Sequence, residues 1–493
     1  MSGAMLTMDS WLQQARLPLS LPVELQHCPV RGVALDSRQV QPGDVFLAVG
    51  GASQHGLAHV EQARQRGAVA VLSDRVPAND ISLPWAAVPD LAAHAGMLAD
   101  LAYGRPSQQL QVLGVTGTNG KTSTVQFLGQ ALTHLGRTPA TQGTLGSGFA
   151  GALQAAERTT PDATVTQRWL AQMHAAGADV VAMEVSSHAL VQGRVDAVRF
   201  TGALFTNLSR DHLDYHRDME DYFAAKARLF AWPALNFAVI NQDDAWGRRL
   251  STMLPPSLRA IGYAIDAPAD LSATQVHCGS DGISLTLSYQ DQSLPLQLAL
   301  LGRFNLSNVL GVAGALLAMG HAFPQVVEAL AALQPVPGRM QRIDGPRGSL
   351  IVVDYAHTPD ALTQALSSLR AHTRGRLIVL FGSSGERDRG KRPMMAQAAE
   401  AAADRIVVTD DNPRGEDGDA IVAEICGGFS AQAPMQVQRD RAAAIAEAIE
   451  AAADGDVVLI AGKGHEPYQE IAGTRWPFDD AEIARRCAGA VTC

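Results

Sequence analysis

The chain has 493 residues, 47% of them hydrophobic and 18% charged, and a formal net charge of −10 at neutral pH. That length exceeds what one hydrophobic core usually supports, and without a block of lysine or arginine neither nucleic-acid binding nor attachment to an anionic membrane is expected. Five scattered cysteines lack a Cys-x-x-Cys pair, no apolar run approaches the ~18 residues of a membrane span, and no basic-then-apolar leader is seen. A soluble cytoplasmic α/β protein of three domains, without membrane insertion, is expected.

Residues 1–90 alternate short apolar strands, at 45–49 and 68–72, with a helical stretch at 59–66 that closes at Gly67; they read as a small α/β domain. A helix rich in alanine and leucine follows Pro89-Asp90 and ends near Gly104-Arg105-Pro106. From 91 to 339 strands (110–115, 180–185, 203–208, 238–241) alternate with helices (122–135, 219–230, 305–319), which implies a mostly parallel sheet with ligands at the carboxyl ends of its strands. Pro335-Val336-Pro337-Gly338-Arg339 breaks the pattern. Residues 340–493 then place apolar strands at 350–354, 376–381, 405–409 and 457–461 between helical stretches, a Rossmann-like unit without the Gly-x-Gly-x-x-Gly string of a dinucleotide site.

The chemistry concentrates after the strand at 110–115. Thr116, Gly117, Thr118, Asn119, Gly120, Lys121 and Thr122 form a glycine-rich turn that opens a helix. Glycines let backbone N–H groups approach a polyphosphate, the helix N-terminus adds partial positive charge, Lys121 bridges phosphate oxygens and the Thr122 hydroxyl suits magnesium. The P-loop pattern Gly-x-x-x-x-Gly-Lys-Ser/Thr is not met literally, because Val115 stands where its first glycine would. Glu184 ends an apolar strand at the same sheet edge, as a magnesium ligand or as an ordinary strand-end carboxylate. Asp211 and His212 follow the next strand and fit either the metal region or a hydrogen-bonded loop. Lys226, on the helix after it, reads by default as a solvated lysine.

Six ordered strings carry a resemblance: Gly117 to Thr122, Glu184-Val-Ser-Ser-His188, Asp211-His-Leu-Asp-Tyr-His216, Gly302-Arg-Phe-Asn-Leu-Ser-Asn308, Pro337-Gly-Arg-Met340 and Asp354-Tyr-Ala-His-Thr-Pro359. Together they resemble the Mur ligase superfamily. The resemblance implies an N-terminal UDP-sugar-binding domain (1–90), a central P-loop ATPase (91–339) and a C-terminal domain for an incoming amino acid (340–493), acting as a monomer in peptidoglycan synthesis. It implies ATP and Mg²⁺, with Lys121, Glu184, His212 and Lys226 as the catalytic set. Thr122, Glu184, His212 and Lys226 would hold metal, Lys226 as a carbamate formed with carbon dioxide, since an ammonium cannot be a ligand. Leu35, Ser37, Ser53 and Gln54 match the family's uridine contacts; Thr159, Thr160, Ser186, Gln192 and Arg194 match those to the muramoyl dipeptide of UDP-N-acetylmuramoyl-L-Ala-D-Glu. Asn308, Arg339, Asp354 and His357 are expected around ATP.

Asp411, Asn412, Pro413 and Arg414 resemble the string of members that take meso-diaminopimelate, whose second carboxylate a planar guanidinium grips through two hydrogen bonds. Arg387, Gly462 and Glu466 complete that expected site. Where members often carry Gly-Gly-Asp-Arg-Asp, this chain has Ser384-Gly385-Glu386-Arg387-Asp388. The alternatives weighed are a lysine-adding relative, a folylpolyglutamate-synthase-like ligase, and a nucleotide-binding switch that kept only the P-loop.

Overall fold

The computed structural model describes residues 6–17, 21–51, 54–155, 158–279 and 281–491. They form two compact units that divide between Tyr263 and Ala264, with Gly314–Met319 belonging to the first. Among the described residues no helix is long and apolar enough to cross a membrane.

The first unit starts with a sheet of four parallel strands, Gly32–Ala34, Asp44–Ala48, Ala70–Ser73 and Trp85–Ala87, side by side in chain order. Alternation sorts its side chains into two cores: Val33, Val45, Leu47 and Leu72 pack with helix Leu91–Ala102, while Ala34, Phe46, Ala48 and Val71 pack with helix Val60–Gln65. The larger sheet of this unit runs, in spatial order, Arg259–Ala264, Phe237–Asn241, Phe200–Phe205, Gln111–Thr116, Val180–Glu184, Pro139–Gly143 and Gly146–Phe149. Only the last pairing is antiparallel. Burial on both faces explains why these strands read as continuous apolar runs. Strand Gln111–Thr116 pairs Val115 with Glu184 on one side and Thr116 with Phe205 on the other, so three strand ends meet where chain order reverses, the place a parallel sheet leaves open for ligands.

In the second unit, strands Leu271–Gly279, Gly282–Tyr289 and Gln292–Leu298 form antiparallel pairs. A six-stranded sheet follows, ordered Gln341–Asp344, Leu350–Asp354, Val457–Ala461, Leu377–Phe381, Arg405–Val408 and Met435–Val437, parallel except for its first pair. Val352, Leu459, Val379 and Ile406 face one core; Ile351, Val353, Ile460 and Leu380 face the other. Hairpin Tyr468–Ile471/Thr474–Pro477 comes last before the final helix.

Three expectations are corrected. The strand expected at 203–208 ends at Phe205, because the Thr206 and Asn207 side chains bond the glycine-rich loop instead of continuing a ladder. The helix expected at 219–230 is α-helical through Ala227 and tightens to a 3₁₀ turn over Arg228–Ala231. Strand–helix alternation does not persist to 339, since 271–298 is an antiparallel meander with one partly solvated face.

Candidate active site

Gly117 (φ 151°) and Gly120 (φ 84°) shape the loop between strand Gln111–Thr116 and helix Lys121–His134. A Cβ on Gly117 would lie 1.9 Å from Thr206 Oγ1, so only glycine lets the loop pass the end of the neighbouring strand. That strand end moulds the loop: Thr118 N donates to Asn207 O (2.9 Å), Asn119 N to Asn207 Oδ1 (3.0 Å), and Thr206 Oγ1 to Asn119 O (2.6 Å). Thr122 is buried in the first helical turn, and the buried Thr116 Oγ1 has no hydrogen-bond partner among the described residues.

Two lysines converge on the loop. Lys121 Nζ donates to Gly117 O (2.9 Å) and Thr118 O (2.8 Å), and Lys226 Nζ donates to the same Gly117 O at 2.8 Å. Lys226 is not the solvated residue its sequence position suggests; its side chain is buried, with Nζ 4.5 Å from the centre of the Tyr222 ring. Burial, reinforced by the Lys121 charge, holds its amine well below the ordinary lysine range. The Tyr222 hydroxyl lies 3.2 Å from Thr118 Oγ1 and is pushed up to about 12 by burial.

Glu184 brings a buried carboxylate to this edge. Its Oε1 accepts from Thr144 N (2.8 Å) and its Oε2 from Thr144 Oγ1 (3.3 Å), while Thr160 Oγ1 donates to its main-chain oxygen (2.7 Å). His212, at φ 53°, sits beside Asp211 (3.4 Å) and edge-on to His188 at 5.0 Å between ring centres. Tyr215 and His216 complete this ring cluster, and burial lowers the pKa of both His188 and His216.

Beside it, a cleft of about 930 Å³ is lined by Leu35, Ser37 and Gln54 from the first sheet's loops, and by Gln142, Pro161 and Arg168 from the larger sheet and its connections. Ser53 lies outside the described residues. Arg194 gathers residues expected at the dipeptide: its NH1 donates to Thr160 O (3.0 Å) and its NH2 to Gln192 Oε1 (2.6 Å). Thr159 Oγ1 meets Thr144 Oγ1 at 3.1 Å, and Ser186 N donates to Thr160 Oγ1 (3.3 Å).

In the second unit, Asp354 accepts from the amides of Met340 (2.7 Å) and Ala356 (2.9 Å), and burial raises its pKa. The Arg339 guanidinium stacks 4.5 Å over Tyr355, and His357 O accepts from Lys391 Nζ. Asn308 Nδ2 lies 3.4 Å from Asn305 Oδ1, within helix Arg303–Ala318. Asp411, Asn412, Pro413, Arg414, Gly462 and Glu466 come together. Ser384 Oγ donates to Asp411 Oδ1 (2.8 Å), Asn412 Nδ2 to Glu466 Oε2 (2.9 Å), and a Cβ on Gly462 would meet Asp411 Oδ2. Hairpin 468–477 fixes this string: Gln469 Nε2 donates to Asp411 O (3.0 Å), Glu470 N to Asn412 Oδ1 (2.9 Å), Arg414 N to Glu470 O (2.8 Å) and Ala472 N to Arg414 O (2.6 Å). Arg414 is thereby held at φ 57°, with its Nε buried and without a partner among the described residues. Arg387 stays exposed on a loop whose Gly385 packs against Pro413 O too closely for any side chain.

Three family descriptions match in order: "Mur ligase family, catalytic domain" at 29–102, "Mur ligase middle domain" at 115–316 and "Mur ligase, glutamate ligase domain" at 338–464. The UDP-N-acetylmuramoyl-L-alanyl-D-glutamate--2,6-diaminopimelate ligase of Xanthomonas oryzae pv. oryzae is 55% identical over 478 residues, 96% of either chain. The chain belongs to the Mur ligase family. The Pseudomonas aeruginosa ligase of the same name is 50% identical across 96% of this Mur ligase and 99% of its own length. A solved structure so named aligns with 99% of this chain and all of its own, at 34% identity and TM-score 0.74. MurF from Acinetobacter baumannii, at 19% identity and TM-score 0.67 over 92% and 95%, bears on the fold alone. Among the residues that hold this Mur ligase's sites in shape, Thr144, Tyr222, Gln469 and Glu470 carry no local sequence signal; Asn207 lies in a polar string after a strand, where a signal was available.

Proposed function

We propose that the protein uses ATP to join meso-2,6-diaminopimelate to UDP-N-acetylmuramoyl-L-alanyl-D-glutamate, a step of peptidoglycan synthesis in the cytoplasm, working as a monomer with domains near 1–90, 91–339 and 340–493. The observation that carries the reading is the single sheet edge on which the phosphate loop, the buried Glu184 carboxylate and the low-pKa Lys226 meet.

A carboxylate is inert to amines until one oxygen becomes a leaving group. ATP transfers its γ-phosphoryl to the D-glutamyl γ-carboxylate and leaves as ADP; the amine of diaminopimelate attacks the acyl phosphate, and the tetrahedral intermediate expels phosphate and loses a proton. The loop amides, the helix N-terminus and Lys121 hold the triphosphate, and Thr160, Ser186, Gln192 and Arg194 orient the dipeptide. Arg414 and Glu466 are paired with the distal carboxylate and ammonium of the incoming amino acid, with Arg387 at its other carboxylate.

The residues at the loop fit magnesium. Glu184 and Thr122 would supply hard oxygen donors, and Lys226, whose amine burial holds well below the ordinary lysine range, would lose its proton more readily, add carbon dioxide and release a further proton to become an oxygen ligand, with His212 in support. Bound there, the ions offset repulsion between triphosphate and carboxylate. Asn308, Arg339, Asp354 and His357 serve the nucleotide.

The test is ADP release with UDP-N-acetylmuramoyl-L-Ala-D-Glu, ATP and a panel of amino acids. Release should require both co-substrates and be fastest with meso-diaminopimelate. Equal efficiency with L-lysine would move the protein to the lysine-adding class, and turnover of ATP alone would favour a switch.

A further inference from the structure

Arg168 projects from helix Ala163–Ala175, which belongs to the larger sheet's connections, yet every one of its bonds reaches the first sheet or the helix that follows it. Its Nε donates to Tyr103 OH (2.8 Å), NH1 to Gln39 O (2.8 Å), and NH2 to Val33 O (3.1 Å) and Asp44 Oδ2 (2.5 Å). Val33 and Gln39 bracket the loop that carries Leu35 and Ser37, so one guanidinium ties both ends of that loop. One turn earlier on the same helix face, Thr164 Oγ1 accepts from Leu35 N (3.3 Å) inside the loop and donates to Asp162 Oδ1 (2.6 Å). Tyr103 extends the tie, accepting from Val33 N at 3.1 Å. The same helix lines the 930 Å³ cleft through Val165, Arg168, Trp169 and Gln172.

We infer that Arg168 is a positioning residue for the nucleotide-sugar: it sets the shape of the uridine-facing loop through its two end carbonyls, an inference that rests on the proposed function. Four of its five N–H groups are already engaged with protein acceptors, so its main action is on the loop that those acceptors belong to. A planar fork spans two carbonyls and a carboxylate at once; an ammonium cannot. The geometry therefore separates Arg168→Lys, which keeps the charge, from a change that merely removes a cation.

The experiment measures nucleotide-sugar affinity by calorimetry, Michaelis constants for all three substrates, and melting temperature, in wild type, Arg168→Lys and Tyr103→Phe. Arg168→Lys should weaken UDP-N-acetylmuramoyl-L-Ala-D-Glu binding and raise its Michaelis constant ~10-fold to ~100-fold, with kcat within ~3-fold and the ATP constant within ~2-fold. Tyr103→Phe, a gentler change that keeps the ring, should move the same constant ~3-fold to ~10-fold, and the double variant less than the product of the two. Wild-type affinity in Arg168→Lys, or an equal loss for ATP and nucleotide-sugar, overturns the inference. Failure of the wild type itself to bind this nucleotide-sugar removes the functional reading and the inference together.

Discussion

Replacing Lys226 with methionine should make the protein more stable and nearly inactive. Lys226 and Lys121 donate to one oxygen, Gly117 O, at 2.8 and 2.9 Å, so their nitrogens lie within two hydrogen-bond lengths of each other. With both lysines charged, about 5 to 6 Å apart, the pair would repel by about 3 kcal/mol at an effective dielectric constant of ~20, and giving up the Lys226 proton instead also costs stability, since the unfolded chain keeps that proton at neutral pH. Methionine keeps an unbranched stem of similar volume against Tyr222, removes the second cation, and loses one hydrogen bond of ~1 kcal/mol. A net gain of roughly 1 to 2 kcal/mol follows, or about 2 to 8 °C in the transition of a unit this size. Calorimetry in metal-free, carbon-dioxide-depleted buffer reads that gain; phosphate release at saturating substrates should fall at least ~100-fold. A lower melting temperature together with wild-type turnover would refute the reasoning, because Lys226 would then be a structural residue whose burial is repaid by contacts the geometry does not reveal.

Arg414→Ala should raise the Michaelis constant for meso-diaminopimelate ~10-fold to ~1000-fold, the scale of losing a charge-assisted bidentate pair, with little change for ATP; unchanged selectivity over L-lysine would remove Arg414 from its role. Gly143→Ala would place a Cβ 2.2 Å from Glu184 Oε1, so the carboxylate must shift, and kcat should drop ~100-fold with the fold intact; wild-type kcat would show that Glu184's position is not critical. His465 is held down to about 4, by burial first and the Arg339 charge second, against 6.5 in the unfolded chain. The unfolded state binds the proton first, so this stability is full above pH 6.5, falls as pH drops toward 4, and amounts to roughly 3 kcal/mol. His465→Phe should flatten that limb of a pH-resolved denaturant series, and an identical limb in both proteins would exclude His465 as its source.

The parallel strands were legible because burial on both faces writes them as unbroken apolar runs; Leu350–Asp354 and Val457–Ala461 match their expected bounds. The meander at 271–298 was not, since a half-solvated strand such as Leu271–Gly279 mixes Ser, Thr, Gln and His into its pattern. The phosphate loop was readable from local spacing alone. What holds Glu184, Lys226 and Arg414 was not: Thr144 is 40 residues from its carboxylate, and Gln469 is 58 from the carbonyl it binds. Such distances are set by tertiary pairing, and a single sequence carries no trace of them.

The hairpin over 468–477 bears on how substrate choice could be transplanted. Asp411, Asn412 and Arg414 are aimed by backbone and amide bonds from Gln469, Glu470 and Ala472 rather than by their own strand. A graft of the four-residue string into a lysine-adding scaffold would carry the side chains without the frame that gives Arg414 its left-handed backbone. With the amino-acid choice set at 411–414 as proposed, the two segments would form one exchangeable cassette, and a designer, or a lineage drifting between amino acids, would have to change them together.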